Sequence, residues 1–342
     1  MADGEAFPMN GGDGTHSYSK NSQYQKLASD AVKETIQEAV IENLDTESMS
    51  STVTIADLGC SVGPNTFLAV ENLMEAVEAK RGSKNDLEFQ VFFNDHSAND
   101  FNTLFASLPA DRQYHAAGVP GSFHGRLFPR NSITLAHSSY SLQWLSKPPQ
   151  GVANEGRIHN SGASEDVVRA YSDQYEKDLG VFMSARAEEI VRGGLLILVV
   201  PATPDGVSHS LLPIGVLLTY LGYALMELAN EGVVDKCKID GFNLPIYYPT
   251  QGELRRLIEK NGRFSIEKME LSYPFAQLTT EINAAPLIMQ LRVTIEGLLT
   301  TYFGISVVEK VFSKMLAKTE EISMHFKAGH DQTQLLLALK RK

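Results

Sequence analysis

At 342 residues the chain is long enough to bury one sizeable core, or a core with an elaborated cap. A formal net charge of −11, from 30 Lys and Arg against 41 Asp and Glu, argues against nucleic-acid or anionic-membrane partners, which need clustered cations; the Lys340-Arg341-Lys342 tail reads as a solvated end. Two cysteines, Cys60 and Cys237, build neither a disulfide framework nor a thiolate metal site. Residues 1–10 lack the basic start and apolar core of a signal peptide, so a reducing cytoplasm is the expected compartment.

A glycine-rich start leads into helical periodicity over 22–44, carried by Tyr24, Leu27, Ala28, Ala31, Val32, Ile36, Ala39 and Val40. Residues 53–58 read as a strand that stops in a glycine-spaced turn, and a helix follows over 65–80. A second buried strand spans 87–93, with Asn94 and Asp95 at its carboxyl end, and a helix follows near 99–107. Strands are further expected at 132–137, at 195–200 behind the Gly193-Gly194 stop of a long helix, at 264–271 and at 334–339. This alternation predicts an α/β fold with a mostly parallel, doubly wound sheet and one antiparallel strand near its end. The intervening stretches 147–175, 203–249 and 274–327 are helical and rich in Leu, Met, Phe and Tyr. They are expected to form a substrate-binding cap over a cofactor-binding core of 1–146, 176–202, 250–273 and 328–342. Residues 211–226 are apolar but shorter than the roughly 20 residues a bilayer requires, and Pro213, Gly215 and Gly222 interrupt them. A buried helix or pocket wall is expected there.

The turn Asp57-Leu58-Gly59-Cys60-Ser61-Val62-Gly63-Pro64-Asn65 is the most informative stretch. Gly59 and Gly63 remove the side chains that would keep a ligand from the backbone. The spacing is neither GxGxxG nor GxxxxGK[ST], and no lysine follows to meet a phosphate. An acidic residue just before the turn suits a cofactor with an amino group and a positive centre; an ordinary strand-to-helix turn is the bland alternative. Ligands of open parallel sheets bind outside the carboxyl ends of the strands, where an acid on the second strand holds a ribose diol. Asp95 is placed for that, or for a helix cap, a role Asp100 can equally fill.

Six stretches then resemble one family along nearly the whole chain: MNGGDGTHSYSKNSQYQK, ADLGCSVGPNT, FFNDHSANDFN, GVPGSFHGRLFPRNS, HSSYSLQWLS and FNLPIYYP. They are similar to the SABATH methyltransferases of plants, which use S-adenosylmethionine to methylate small carboxylic acids, with a branch acting on xanthine nitrogens. The resemblance implies a class I methyltransferase (Rossmann-like) sheet with an α-helical cap, usually as a homodimer. Around the cofactor it implies Tyr18, with Ser22 and Asn65 at the methionine carboxylate. Asp57, Gly59 and Cys60 would face the amino group, Asp95 the ribose, His96, Ser122 and Phe123 the adenine. Around the substrate it implies Tyr18, Gln25, Tyr140, Gln143, Trp144 and Tyr247, with Gln25 and Trp144 as the catalytic donors. A structural Mg2+ on Asn154, Asp240, Phe242 and Asn243 is a further implication, drawn from some members only.

Transfer of a methyl group from a sulfonium to a carboxylate neutralises both charges and needs no base, because an acid titrating near ~4 is already ionised at neutral pH. The protein's task is orientation. Neutral donors such as a Gln amide and an indole N–H do this without over-stabilising the ground-state anion. Each of these residues also has a structural reading: Trp144 as a core aromatic, Gln25 as a surface residue, Tyr18 and Tyr140 as packing. His137 is expected to be a strand-end histidine satisfied by hydrogen bonds. Gln143 departs from the Met or His of carboxylate-specific members, and its amide suits a purine carbonyl or a hydroxyl or ketone on an acid. A carboxyl O-methyltransferase is therefore expected first and a purine N-methyltransferase second. A methyltransferase-shaped binding protein without turnover comes last.

Overall fold

The computed structural model describes residues 23–46, 51–82, 87–275 and 283–342. Its centre is a seven-stranded sheet: β1 (Thr52–Leu58), β2 (Glu88–Asp95), β3 (His115–Pro120), β4 (Ile133–Ser139), β5 (Ile190–Ala202), β6 (Phe264–Ser272) and β7 (Thr333–Arg341). The spatial order is β3-β2-β1-β4-β5-β7-β6. The pairs from β3 to β5 are parallel, and β7 enters antiparallel to both β5 and β6. The order reverses between β1 and β4, which opens a crevice at the carboxyl ends of those strands.

Alternation along the strands explains why both faces are covered. On β5, Leu195, Ile197 and Val199 pack into one apolar cluster, while Leu196, Leu198 and Val200 pack into another on the opposite face. That is the pattern of a strand buried on both sides. The first cluster is roofed by α2 (Lys33–Asn43) and α3 (Pro64–Arg81), the second by α5 (Glu165–Glu189). Each side chain buried this fully contributes about 1.5–3 kcal/mol.

A third cluster lies apart from the sheet. It joins α6 (Pro213–Asn230), α9 (Ala284–Phe303), α10 (Ile305–Ala317) and α11 (Thr319–Ala328) to Ile158, Phe242 and Leu244. Residues 211–226, expected to form a buried helix or pocket wall, fall largely within α6, which Pro213 opens at its first turn. No helix of the described residues is long and apolar enough to cross a membrane.

Three expectations differ from what is found. The helical stretch 22–44 divides into α1 (Gln23–Asp30) and α2. Ala31 N–H still bonds Leu27 O, but Val32 N–H turns to Ser29 O, so the carbonyl of Ala28 is skipped. β3 was not expected at all, because its sequence HAAGVP is short, small-sided and largely exposed at the sheet edge. Finally, the first turns of α5 fall within the stretch assigned to the cap, yet Val167, Tyr171 and Tyr175 pack with the sheet.

Candidate active site

A cavity of about 960 Å³ opens at the carboxyl ends of the parallel strands and runs beneath α6 and α9. One end is built by the glycine turn. The N–H groups of Gly59 and Cys60 both donate to Asn94 O at the end of β2, at 2.8 and 3.0 Å. The next N–H, of Ser61, donates to Asp95 Oδ2 at 2.8 Å, and His96 N–H donates to Asp95 Oδ1 at 2.7 Å. Each Asp95 oxygen therefore keeps lone-pair capacity for a ligand's hydroxyl groups. Burial raises the pKa of the Asp95 carboxyl, and these two N–H bonds offset only part of that rise.

Gly59 has φ +85, and a Cβ on it would lie 2.1 Å from Ser141 Oγ. The backbone is bare here for a structural as well as a ligand-facing reason. Ser61 also has positive φ (+52), lines the cavity, and leaves its Oγ buried without a partner; sequence reasoning did not single it out. Cys60 is buried, and its thiol, pushed up chiefly by burial, points back to Ser61 O at 3.5 Å. Asp57 is placed differently from expectation. Its Oδ1 lies 2.7 Å from His137 Nδ1, and its Oδ2 accepts from Thr66 Oγ1. It braces the turn from below instead of lining the cavity, and His137 is a hydrogen-bonded strand-end histidine. Asn65 also lies off the cavity wall.

Gly121, Ser122, Phe123 and His124 form the neighbouring wall, beside His96. A buried ion pair holds this loop. Arg186 at the end of α5 is bound to Glu189 through Nε (2.7 Å), and its two terminal nitrogens donate to Phe123 O and Gly125 O, each at 2.8 Å. Glu189 Oε1 accepts from Leu127 N and Phe128 N at 2.5 and 3.0 Å. Burial lowers the guanidinium pKa, and the Glu189 charge opposes that shift.

At the other end Gln25, Tyr140, Gln143 and Trp144 line the same cavity. Gln25 comes from α1, with its Oε1 buried and unpartnered. The indole N–H of Trp144 has no hydrogen-bond partner among the described residues. Tyr140 corrects one expectation: its ring lines the wall, but its hydroxyl donates to Gln334 Oε1 at 2.8 Å, and burial raises its pKa far above the usual phenol value. Gln143 Nε2 donates to Tyr140 O at 2.6 Å, leaving Oε1 buried and unpaired.

Tyr247 does not reach the cavity. Its hydroxyl donates to Glu253 Oε2 at 2.9 Å and its ring packs on Tyr175, while Tyr248 takes the wall position. The segment is extended: Ile246 bridges Trp144 and Tyr247 N–H bonds Gln143 O. Adjacent side chains of an extended segment point to opposite sides. The α9 face adds Gln290, Thr294 and Tyr302, none of them anticipated, and Lys147 brings a cation on an exposed part of the wall. Tyr18 and Ser22 lie outside the described residues.

The positions carried over for a divalent ion do not assemble as a cage. Asn154 Nδ2 donates to Asn243 Oδ1 and to His159 O, both at 3.0 Å, and Asp240 Oδ1 accepts from Gly156 N–H. Phe242 packs on Tyr302 and Phe303. Of these side-chain oxygens only Asn154 Oδ1 is buried and unpaired, where Mg2+ takes six oxygens. The residues fit a locked loop rather than a metal site.

A sheet of this order, with an antiparallel strand inserted before its last one and a ribose-ready acid beside a glycine turn, is that of a class I methyltransferase. The chain belongs to the family described as SAM dependent carboxyl methyltransferases, whose profile matches residues 4–342, so S-adenosylmethionine is its methyl donor. Loganic acid O-methyltransferase of Catharanthus roseus is 45% identical over 99% of this chain and 95% of its own length. Farnesoic acid carboxyl-O-methyltransferase of Arabidopsis thaliana is 42% identical over 98% of this chain and 99% of its own length. Paraxanthine methyltransferase 2 of Arabidopsis thaliana is more distant, at 36% over 97% of this chain and 98% of its own length. A solved loganic acid methyltransferase with SAH superposes with a TM-score of 0.94 at 44% identity, covering 98% of this chain and 99% of that one.

Proposed function

We propose that this carboxyl methyltransferase esterifies a small acid that carries a hydroxyl group close to its carboxylate. The observation that carries the reading is the orientation of Gln143. Only its nitrogen can donate to Tyr140 O, so the amide presents a buried, acceptor-only oxygen beside Trp144. A purine carbonyl or a ketone offers no proton to that oxygen; a hydroxyl does. An unmet buried acceptor costs about 1–3 kcal/mol, which favours hydroxylated acids over hydrocarbon ones by roughly 5- to 150-fold.

S-adenosylmethionine supplies an electrophilic methyl carbon whose bond to sulfur breaks as the ester C–O bond forms, the electron pair remaining on sulfur. The chain's own residues supply placement. Asp95 offers its open lone pairs to the ribose, and the Gly59 backbone and Ser61 Oγ line the same end. The Gln25 amide and the Trp144 N–H hold the acid's carboxylate as uncharged donors, so its nucleophilicity is kept. No side chain removes a proton. A homodimer is the assembly the resemblance supports, and light scattering of the purified protein tests it; a cytoplasmic location is the reading that the cysteine usage supports.

Labelled methyl transfer to a panel of hydroxylated acids, hydrocarbon acids and xanthines tests the reading. Hydroxylated acids are expected to lead, and Gln143→Met is expected to erase their advantage. Turnover of xanthines alone would overturn the proposal.

A further inference from the structure

We infer that Gln334, in the middle of β7, is a positioning residue that sets where Gln25 stands relative to Tyr140 and Trp144. The inference rests on the donor role given to Gln25 above. Gln334 is fully buried and its backbone is paired on both sides, with Pro201 of β5 and Ser272 of β6, so its side chain leaves a rigid base. Both ends of that side chain are engaged. Its Oε1 accepts from Tyr140 O–H at 2.8 Å, and its Nε2 donates to Ala28 O at 2.8 Å.

Ala28 O is the carbonyl skipped where α1 breaks from α2. Gln334 therefore occupies an acceptor that the break exposes, three residues beyond Gln25 on the same short helix. An eight-residue helix has little stability of its own, so its tilt follows its tertiary ties. The other half of the strut reaches the opposite wall. Tyr140 has left-handed backbone (φ +53), its N–H is tied to Val199 O, and its carbonyl orients Gln143 one residue before Trp144. One amide thus spans from the helix carrying one donor to the loop carrying the other. Reaction geometry is steep, and a misplacement of about 1 Å can lower rate roughly a hundredfold.

The test is a double-mutant cycle on kcat at saturating acid and methyl donor, with Gln25→Ala, Gln334→Leu and their combination. Gln334→Leu is expected to lower kcat about 10- to 30-fold alone and by less than about twofold in the Gln25→Ala background, because a residue acting through another has nothing left to act on. Tyr140→Phe, which removes one hydroxyl and keeps the ring, is expected to lose about 3- to 10-fold with the same non-additivity, and it decides the matter should Gln334→Leu not fold. Effects that multiply would show Gln334 to be a general support, overturning the inference while leaving Gln25 as a donor. Unchanged kcat in Gln25→Ala would overturn the donor role and the inference with it. Unchanged kcat in both strut variants would overturn the inference alone.

Discussion

Replacing Arg186 by Met tests whether the wall at residues 121–128 is held by charge. The side chain is 1% exposed and Glu189 is 0% exposed. The substitution strands a buried carboxylate and unpairs the carbonyls of Phe123 and Gly125 together. Loss of one partner from a buried ion pair costs about 3–5 kcal/mol, a large share of the roughly 5–15 kcal/mol that holds a domain folded. Urea denaturation should show that loss. Calorimetry should show S-adenosylhomocysteine binding at least about tenfold weaker, since the freed loop carries Ser122 and Phe123. Adding Glu189→Gln removes the stranded charge and should return about 1–2 kcal/mol. A single variant losing under about 1 kcal/mol, or a double variant less stable than the single, would refute the argument.

Asp95→Asn must turn an NH2 toward either Ser61 N–H or His96 N–H, and it forfeits the charge-assisted bonds proposed for it toward the ribose, worth about 1.5–3 kcal/mol each. Calorimetry should show about a hundredfold loss of S-adenosylhomocysteine affinity. Gly59→Ala should weaken the same binding at least tenfold, and Ser141→Gly in that background should restore only part, because it relieves the contact with Ser141 Oγ but not the positive φ. His159 accepts Ser161 N–H at Nδ1 and bonds Ile246 O through Nε2, a neutral form that burial protects by lowering its pKa from 6.5 to about 4. The unfolded chain binds the proton first as pH falls through that window, so stability declines from about pH 6.5 toward 4, by up to roughly 3 kcal/mol. Denaturation at pH 7 and 4.5 should show the decline, and His159→Gln should shrink it.

The sheet was largely legible because runs such as 53–58 and 195–200 are mostly apolar on both faces, with Gly59 just after the first and Gly193-Gly194 just before the second. β3 was not, since an edge strand of small residues buries too little to leave a pattern. Within the site, the turn at Gly59 was read from local sequence, whereas Ser122, Phe123 and Trp144 came to the cavity wall only through what the family resemblance implied. What failed was partnership at long range. Nothing near Asp57 announces that His137 and Thr66 will take its two oxygens. Nothing in the last turn of α5 says that Arg186 is buried, since an arginine there normally meets solvent and the helix dipole. Tyr248 takes the place expected for Tyr247 because a one-residue register in an extended segment reverses which ring faces the cavity.

The antiparallel insertion of β7 has a consequence for how the enzyme comes into being. Among the described residues β6 borders no strand except β7, so until the latter docks, β6 is an orphan and the flank of β5 lies open to pairing with another chain. The same docking delivers Gln334 to α1. Chains interrupted before Thr333 should accordingly yield sticky, inert material instead of a slower catalyst: competence arrives in one late stroke, with the keystone of the sheet.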